Sequence, residues 1–183
     1  RGIERALKAG VKSIEHGQLA DEDAARQIAD AGAWWSLQPF LGDSDANVKA
    51  DAIGRAKQQQ VAEGTVRAYE MAIRYDINTA WGTDILFTPQ NVDTQGRQLA
   101  KLTRFYPPLD LLRIATGRNG ELLGLCGPRN PYGEIGVIRP GALADMLVVD
   151  GDPSVSLDFL AEPDTSLRLI MKDGRVYKNT LAA

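Results

Sequence analysis

Val11-Lys12-Ser13-Ile14-Glu15-His16-Gly17 is a short run with apolar anchors that ends on the only histidine in the chain. Upstream, Ile3 to Ala9 reads as the last turns of a helix, which Gly10 stops at a C-cap position. Val11 to Glu15 then reads as a strand. Downstream, Asp21 is placed to cap a helix running to Ala31, with Ala24, Ala25, Ile28 and Ala29 on one face and Gly32 ending it. Ala33 to Leu37 reads as a second, buried strand. The long polar stretch from Asn47 to Tyr75 reads as one helix, or as two separated near Gly64, and it leads into a third strand, Asn78 to Gly82. Strands alternating with helices predict an α/β fold with a parallel sheet and crossover helices.

His16 and Asp84 each follow the end of a predicted strand, two βα units apart. Repeats of this length carry successive strands around a (β/α)8 barrel, where functional groups gather at the carboxyl ends of the strands. His16 and Asp84 are therefore expected at one mouth, with Ser36, Gln38 and Phe40 from the exit of the intervening strand between them.

Beyond Asp84 the rhythm changes. Residues 85 to 106 lack periodicity and read as a long loop. Pro107-Pro108 opens a helix carrying Leu109, Leu111, Leu112, Ile114 and Ala115. Arg118 and Asn119 read as a surface turn before a second short helix near Glu121 to Leu125. Dense Pro and Gly between Gly127 and Gly136 mark a boundary, after which the pattern is purely β: Ile135 to Ile138, Asp145 to Asp150, Leu167 to Lys172 and Arg175 to Lys178. Asp173-Gly174 is a two-residue hairpin signal.

Composition narrows the classes. The chain has 183 residues, 44% of them hydrophobic, enough to bury a sizeable core. A net charge of −3 with scattered Lys and Arg argues against a nucleic-acid partner. No apolar stretch approaches the roughly 20 residues that span a bilayer. One cysteine, Cys126, allows no intramolecular disulfide and no cysteine-based zinc site; its apolar context suits a small packing residue. The chain opens on Arg1 and is expected to be part of a longer protein. Localisation stays open between cytoplasmic and, if a signal peptide was lost upstream, periplasmic or secreted.

Four stretches, in order, resemble the amidohydrolase superfamily: Ser13-Ile14-Glu15-His16-Gly17, Trp81-Gly82-Thr83-Asp84, Gly136 to Pro153, and Ile170-Met171-Lys172-Asp173-Gly174-Arg175-Val176. Within it the likeness is to prolidase-like, imidazolonepropionase-related enzymes, a group with Xaa-Pro dipeptidases and relatives that hydrolyse ochratoxin-type amides. The resemblance implies strands 6 to 8 of a (β/α)8 TIM-type barrel over residues 1–126 and strands of a small β-sandwich over 127–183. It also implies a metal-dependent hydrolase of amide or peptide-like C–N bonds, with one or two divalent metal ions, Zn²⁺ foremost. His16 matches the sixth-strand metal ligand. Asp84 matches the eighth-strand aspartate, a metal ligand and the catalytic acid/base. The substrate is then a small amide, an Xaa-Pro dipeptide or an N-acyl amino acid, with Gln38 and Phe40 as candidate substrate contacts.

The superfamily's His-x-His pair, carboxylated lysine and second single histidine have no counterpart here. The chain is thus expected to be inactive by itself and to need the missing N-terminal part of the barrel, with another copy of the chain as a further candidate to cover its open strand edges. The alternative is a non-catalytic half-barrel that serves as an assembly or binding module. Simpler roles compete residue by residue. A lone histidine at a strand end is often structural, and an aspartate after Thr83 is often a turn cap. Trp34, Trp35 and Trp81 suit core packing, and Asp145, Asp150 and Asp152 suit turns and strand ends.

Overall fold

The computed structural model describes residues 1–43, 46, 48–85 and 89–181. Residues 47 and 86–88, part of the stretches discussed above, lie outside that set. The chain is a mixed α/β protein that divides into two compact units, Arg1–Val92 and Asp93–Ala183. The boundary expected at 126/127 falls inside the second unit.

The first unit is βαβαβ behind a leading helix: α1 (Gly2–Lys8), β1 (Ser13–Glu15), α2 (Glu22–Asp30), β2 (Trp34–Leu37), α3 (Ala52–Arg74) and β3 (Asn78–Trp81). The three strands are parallel in the order β1-β2-β3, with Glu15 opposite Ser36 and Ser36 opposite Ala80. All four residues of β2 are buried, as a central strand covered on both faces demands. Trp35 and Leu37 are fully enclosed, packed in a core that includes Ile14, Ala25, Ile28, Ala68, Tyr69 and Ile77.

Helix starts follow the predicted chemistry. The Asp21 carboxylate accepts the Ala24 N–H at 2.9 Å, and Asp51 accepts that of Gly54 at 2.7 Å, each satisfying an amide that has no partner within its helix. Gly64 does not divide α3, which runs unbroken through it. A Cβ at this position would run into the Gln18 carbonyl oxygen, so the glycine is a point of close approach between the helix and the segment after β1.

The second unit begins in helices rather than in a loop. A 3-10 segment (Pro89–Thr94) spans the boundary and leads to α4 (Gln95–Ala100), a second 3-10 turn (Lys101–Arg104) and α5 (Pro108–Arg113). Arg118 and Asn119 do not form a turn either. One π-helical stretch, Ile114–Arg118, joins α5 directly to α6 (Asn119–Gly124).

An antiparallel sheet in the order β4-β5-β6 follows, formed by Met146–Val149, Leu167–Lys172 and Arg175–Asn179, with α7 (Pro163–Ser166) leading into β5. The β5–β6 turn is the expected one, with Asp173 at φ 49° and Gly174 at φ 71°. The strand expected over Ile135–Ile138 does not form. Gly136, at φ 76°, lies so close to the Thr116 carbonyl that a Cβ would collide with it, and Gly120 stands in the same relation to the Ile135 carbonyl. The segment thus lies backbone to backbone against a helix, which gives it no strand to pair with. Cys126 is exposed at the exit of α6 and is not a packing residue.

Candidate functional site

The carboxyl end of the parallel sheet collects polar groups from all three strands. His16, one residue past β1, has φ 64°, and Asp84, three past β3, has φ 52°. This left-handed region is unfavourable for residues with a Cβ. Two other non-glycine residues with positive φ, Asp76 and Asp173, sit just past the end of α3 and in the β5–β6 hairpin turn. His16 and Asp84 instead lie at exits from one parallel sheet. Both are exposed.

The His16 backbone is held on both sides. Its N–H donates to the Ser36 carbonyl at 3.0 Å, and its own carbonyl accepts the Trp35 indole N–H at 2.7 Å. The following residue has to be glycine: Gly17 has φ 78°, and a Cβ there would stand 3.1 Å from the Trp35 Nε1. Trp35 is thus core on its ring and a clamp on its nitrogen. Trp34 is buried as well, and Trp81 is partly exposed.

The imidazole is held from β2's exit. His16 Nδ1 lies 2.7 Å from Gln38 Oε1, which also accepts the Gln18 Nε2 amide at 3.0 Å. Gln38 Nε2 donates to the Ser36 carbonyl at 3.2 Å. Both glutamines are buried, Gln18 at 6% exposure and Gln38 at 4%. Phe40 is partly exposed and stacks beside His16, the rings 6.2 Å apart at an interplanar angle of 14°. Gln18 is absent from the candidates found by sequence, although its position two residues after His16, past a mandatory glycine, is the signal that could have found it.

Of the expected site residues, the fold brings His16, Gln38 and Phe40 into mutual contact. Asp84 emerges from β3, on the other side of β2 from His16. The donor chemistry suits a divalent cation: an imidazole with Nε2 directed away from its Gln38 anchor, and an exposed carboxylate. Among the described residues, no group of three or more His, Cys, Asp or Glu side chains is arranged to hold a metal ion.

The other carboxylates flagged by spacing are engaged elsewhere. Asp145 accepts the Asp173 N–H at 2.7 Å, Asp150 pairs with Arg168 at 3.3 Å, and Asp152 accepts both the N–H and the hydroxyl of Ser154. The Ser154 bonds hold the Asp152 carboxyl below its ordinary value.

Comparison with known proteins places the chain among amidohydrolases. The chain is 28% identical over 182 residues to an ochratoxinase from Aspergillus niger, covering 97% of this chain and 36% of that protein. The crystal structure of an amidohydrolase superposes with a TM-score of 0.82 at 33% identity, covering 98% of this chain and 43% of that one. A prolidase crystallised with N-methylphosphonate-L-proline gives the same TM-score at 27% identity and the same coverage. The chain thus spans about two fifths of the length of these relatives. The amidohydrolase family profile matches residues 1–178, nearly the whole sequence, and the chain belongs to that family.

Proposed function

We propose that residues 1–183 form the C-terminal part of a metal-dependent hydrolase that cleaves amide or peptide-like C–N bonds in small substrates, such as Xaa-Pro dipeptides or N-acyl amino acids. The observation that carries this reading is the shared left-handed backbone of His16 and Asp84 at the carboxyl end of one parallel sheet. The family match and the likeness to a prolidase and an ochratoxinase support the reaction class.

In this reading β1, β2 and β3 are strands six to eight of a (β/α)8 barrel whose other strands lie outside this sequence. The β4-β5-β6 sheet belongs to a β-sandwich completed in the same way. Leu147, Val148, Val176 and Tyr177 are exposed on that sheet, neighbours on opposite faces, and leave apolar surface on both.

When bound, one or two divalent ions such as Zn²⁺ supply a strong nucleophile by lowering the pKa of water from about 15.7 to about 7. His16 would offer the Nε2 lone pair to such an ion. The Asp84 carboxylate would offer an oxygen ligand, and it would accept a proton from the attacking water and return it to the departing amine nitrogen. Two donors fall short of the three protein ligands that a catalytic zinc ion keeps beside its water, so the remaining ligands come from outside residues 1–183.

The test is metal content and hydrolysis of Xaa-Pro dipeptides and N-acyl amino acids by the whole hydrolase, with His16→Ala and Asp84→Asn variants. Loss of metal in the first and of turnover in both is expected. Unchanged turnover in either variant overturns the assignment, and stoichiometric metal with turnover from residues 1–183 alone overturns the need for outside ligands.

A further inference from the structure

The buried amide pair behind His16 bears on which imidazole nitrogen carries the proton. The Ser36 carbonyl can only accept, so the Gln38 side-chain atom 3.2 Å from it is the NH₂ group, and the other end of the same amide is therefore its oxygen. That oxygen faces His16 Nδ1 at 2.7 Å and takes a second hydrogen bond from Gln18 Nε2 at 3.0 Å. An amide oxygen has no proton to give, so a neutral His16 donates from Nδ1 and keeps its lone pair on Nε2. The Gln38 amide is anchored at both ends and is 4% exposed, so it has little freedom to rotate and face an incoming substrate.

We propose that Gln38 is a positioning residue: it locks His16 in the Nδ1–H tautomer and orients Nε2 as the ligating atom, acting through His16 rather than by touching substrate. Gln18 supports it by holding the Gln38 oxygen from the other side. As a route to metal binding this rests on the proposed function, but the tautomer lock itself does not. In metal sites such outer partners fix both the ring orientation and the basicity of the ligating nitrogen.

The proposal can be read by long-range ¹H–¹⁵N NMR on the uniformly ¹⁵N-labelled, metal-free whole hydrolase, with the His16 signals identified by their loss in His16→Ala, at a pH where titration shows the ring to be neutral. The wild type is expected to show a protonated Nδ1 and an unprotonated Nε2. Gln38→Glu keeps an acceptor toward Nδ1 and should keep that tautomer, at a cost in stability because its second oxygen faces the Ser36 carbonyl. Gln38→Leu removes the acceptor and should shift most of the population to Nε2–H. A wild-type ring protonated on Nε2, or a folded Gln38→Leu protein that keeps Nδ1–H, overturns the proposal; if Gln38→Leu does not fold, the wild-type and Gln38→Glu spectra still decide it.

In the whole hydrolase, Gln38→Leu is further expected to weaken Zn²⁺ binding by about 10–100-fold, read by competition with a chelator. A metal affinity unchanged by Gln38→Leu overturns the ligand-orienting role. A correct tautomer in a protein whose metal content is indifferent to His16→Ala would retain the tautomer lock while the proposed function fails.

Discussion

His16 and Asp84, just past the ends of the outer two strands of a three-stranded parallel sheet, have nearly the same left-handed backbone, φ 64° and 52°. A left-handed residue with a Cβ costs roughly 1–2 kcal/mol relative to the right-handed form, somewhat less for aspartate. A fold optimised only for stability would place glycine at both.

Asp84→Gly is accordingly expected to stabilise the chain by up to about 1 kcal/mol, and Asp84→Asn to leave stability nearly unchanged, since asparagine tolerates the same conformation. Urea unfolding checks both. A destabilised Asp84→Gly protein would show that the carboxylate, and not the backbone, sets the balance at this position.

Gly17→Ala combines a left-handed backbone with a Cβ 3.1 Å from the Trp35 Nε1, so it should strain the indole bond to the His16 carbonyl. A loss of about 1–3 kcal/mol is expected. Trp35→Phe removes that hydrogen bond without touching the backbone and, because it also leaves a cavity at a fully buried position, should cost about 1–3 kcal/mol. Denaturant midpoints for the pair separate backbone strain from the lost bond.

Gly64→Ala should destabilise the chain by about 1–3 kcal/mol, although alanine is the better helix former. Its Cβ would collide with the Gln18 carbonyl oxygen. Because Gln18 also holds the Gln38 amide, the His16 ring resonances should move in this variant even though it lies in α3. A more stable Gly64→Ala protein would mean that α3 has room to shift.

Glu22, at the start of α2, ties that helix to the end of α3. It accepts hydrogen bonds from the Tyr75 hydroxyl and, at 3.1 Å, from Arg26, with Arg74 at 3.7 Å. These partners, Tyr75 foremost, hold its carboxyl below the ordinary value of 4.5. With a depressed folded-state pKa the unfolded chain takes up the proton first. The stabilisation is therefore complete above about pH 4.5 and disappears as the pH falls through the folded value. Urea midpoints of the wild type and Glu22→Gln should differ near neutral pH and converge in acid. A gap that stays constant down to about pH 3 would assign the effect to something other than this carboxylate.

The first unit was legible because its signals are local. Asp21 marks a helix start, Gly10 and Gly32 mark helix ends, and the enclosed Trp34 to Leu37 run marks the central strand. The second unit was less legible. Ile135 to Ile138 has strand composition, but a strand exists only where a partner strand is within reach, and the Gly120 and Gly136 contacts bring this segment against a helix instead. Residues 89–104 lack periodicity because they are broken into 3-10 and short α turns, each too brief to repeat a pattern.

The sequence by itself determined the family and the alternation of strands and helices. It also named His16 and Asp84 as candidates, from residue type and from their place just after strand ends. Only the tertiary structure decided what Gln38 touches. Gln38 lies 22 residues from His16 in sequence, and Gln18, His16 and the Ser36 carbonyl become its neighbours only when β1 and β2 pair in register. The direction of one buried amide, and with it the nitrogen left free on His16, follows from that pairing and not from any local pattern.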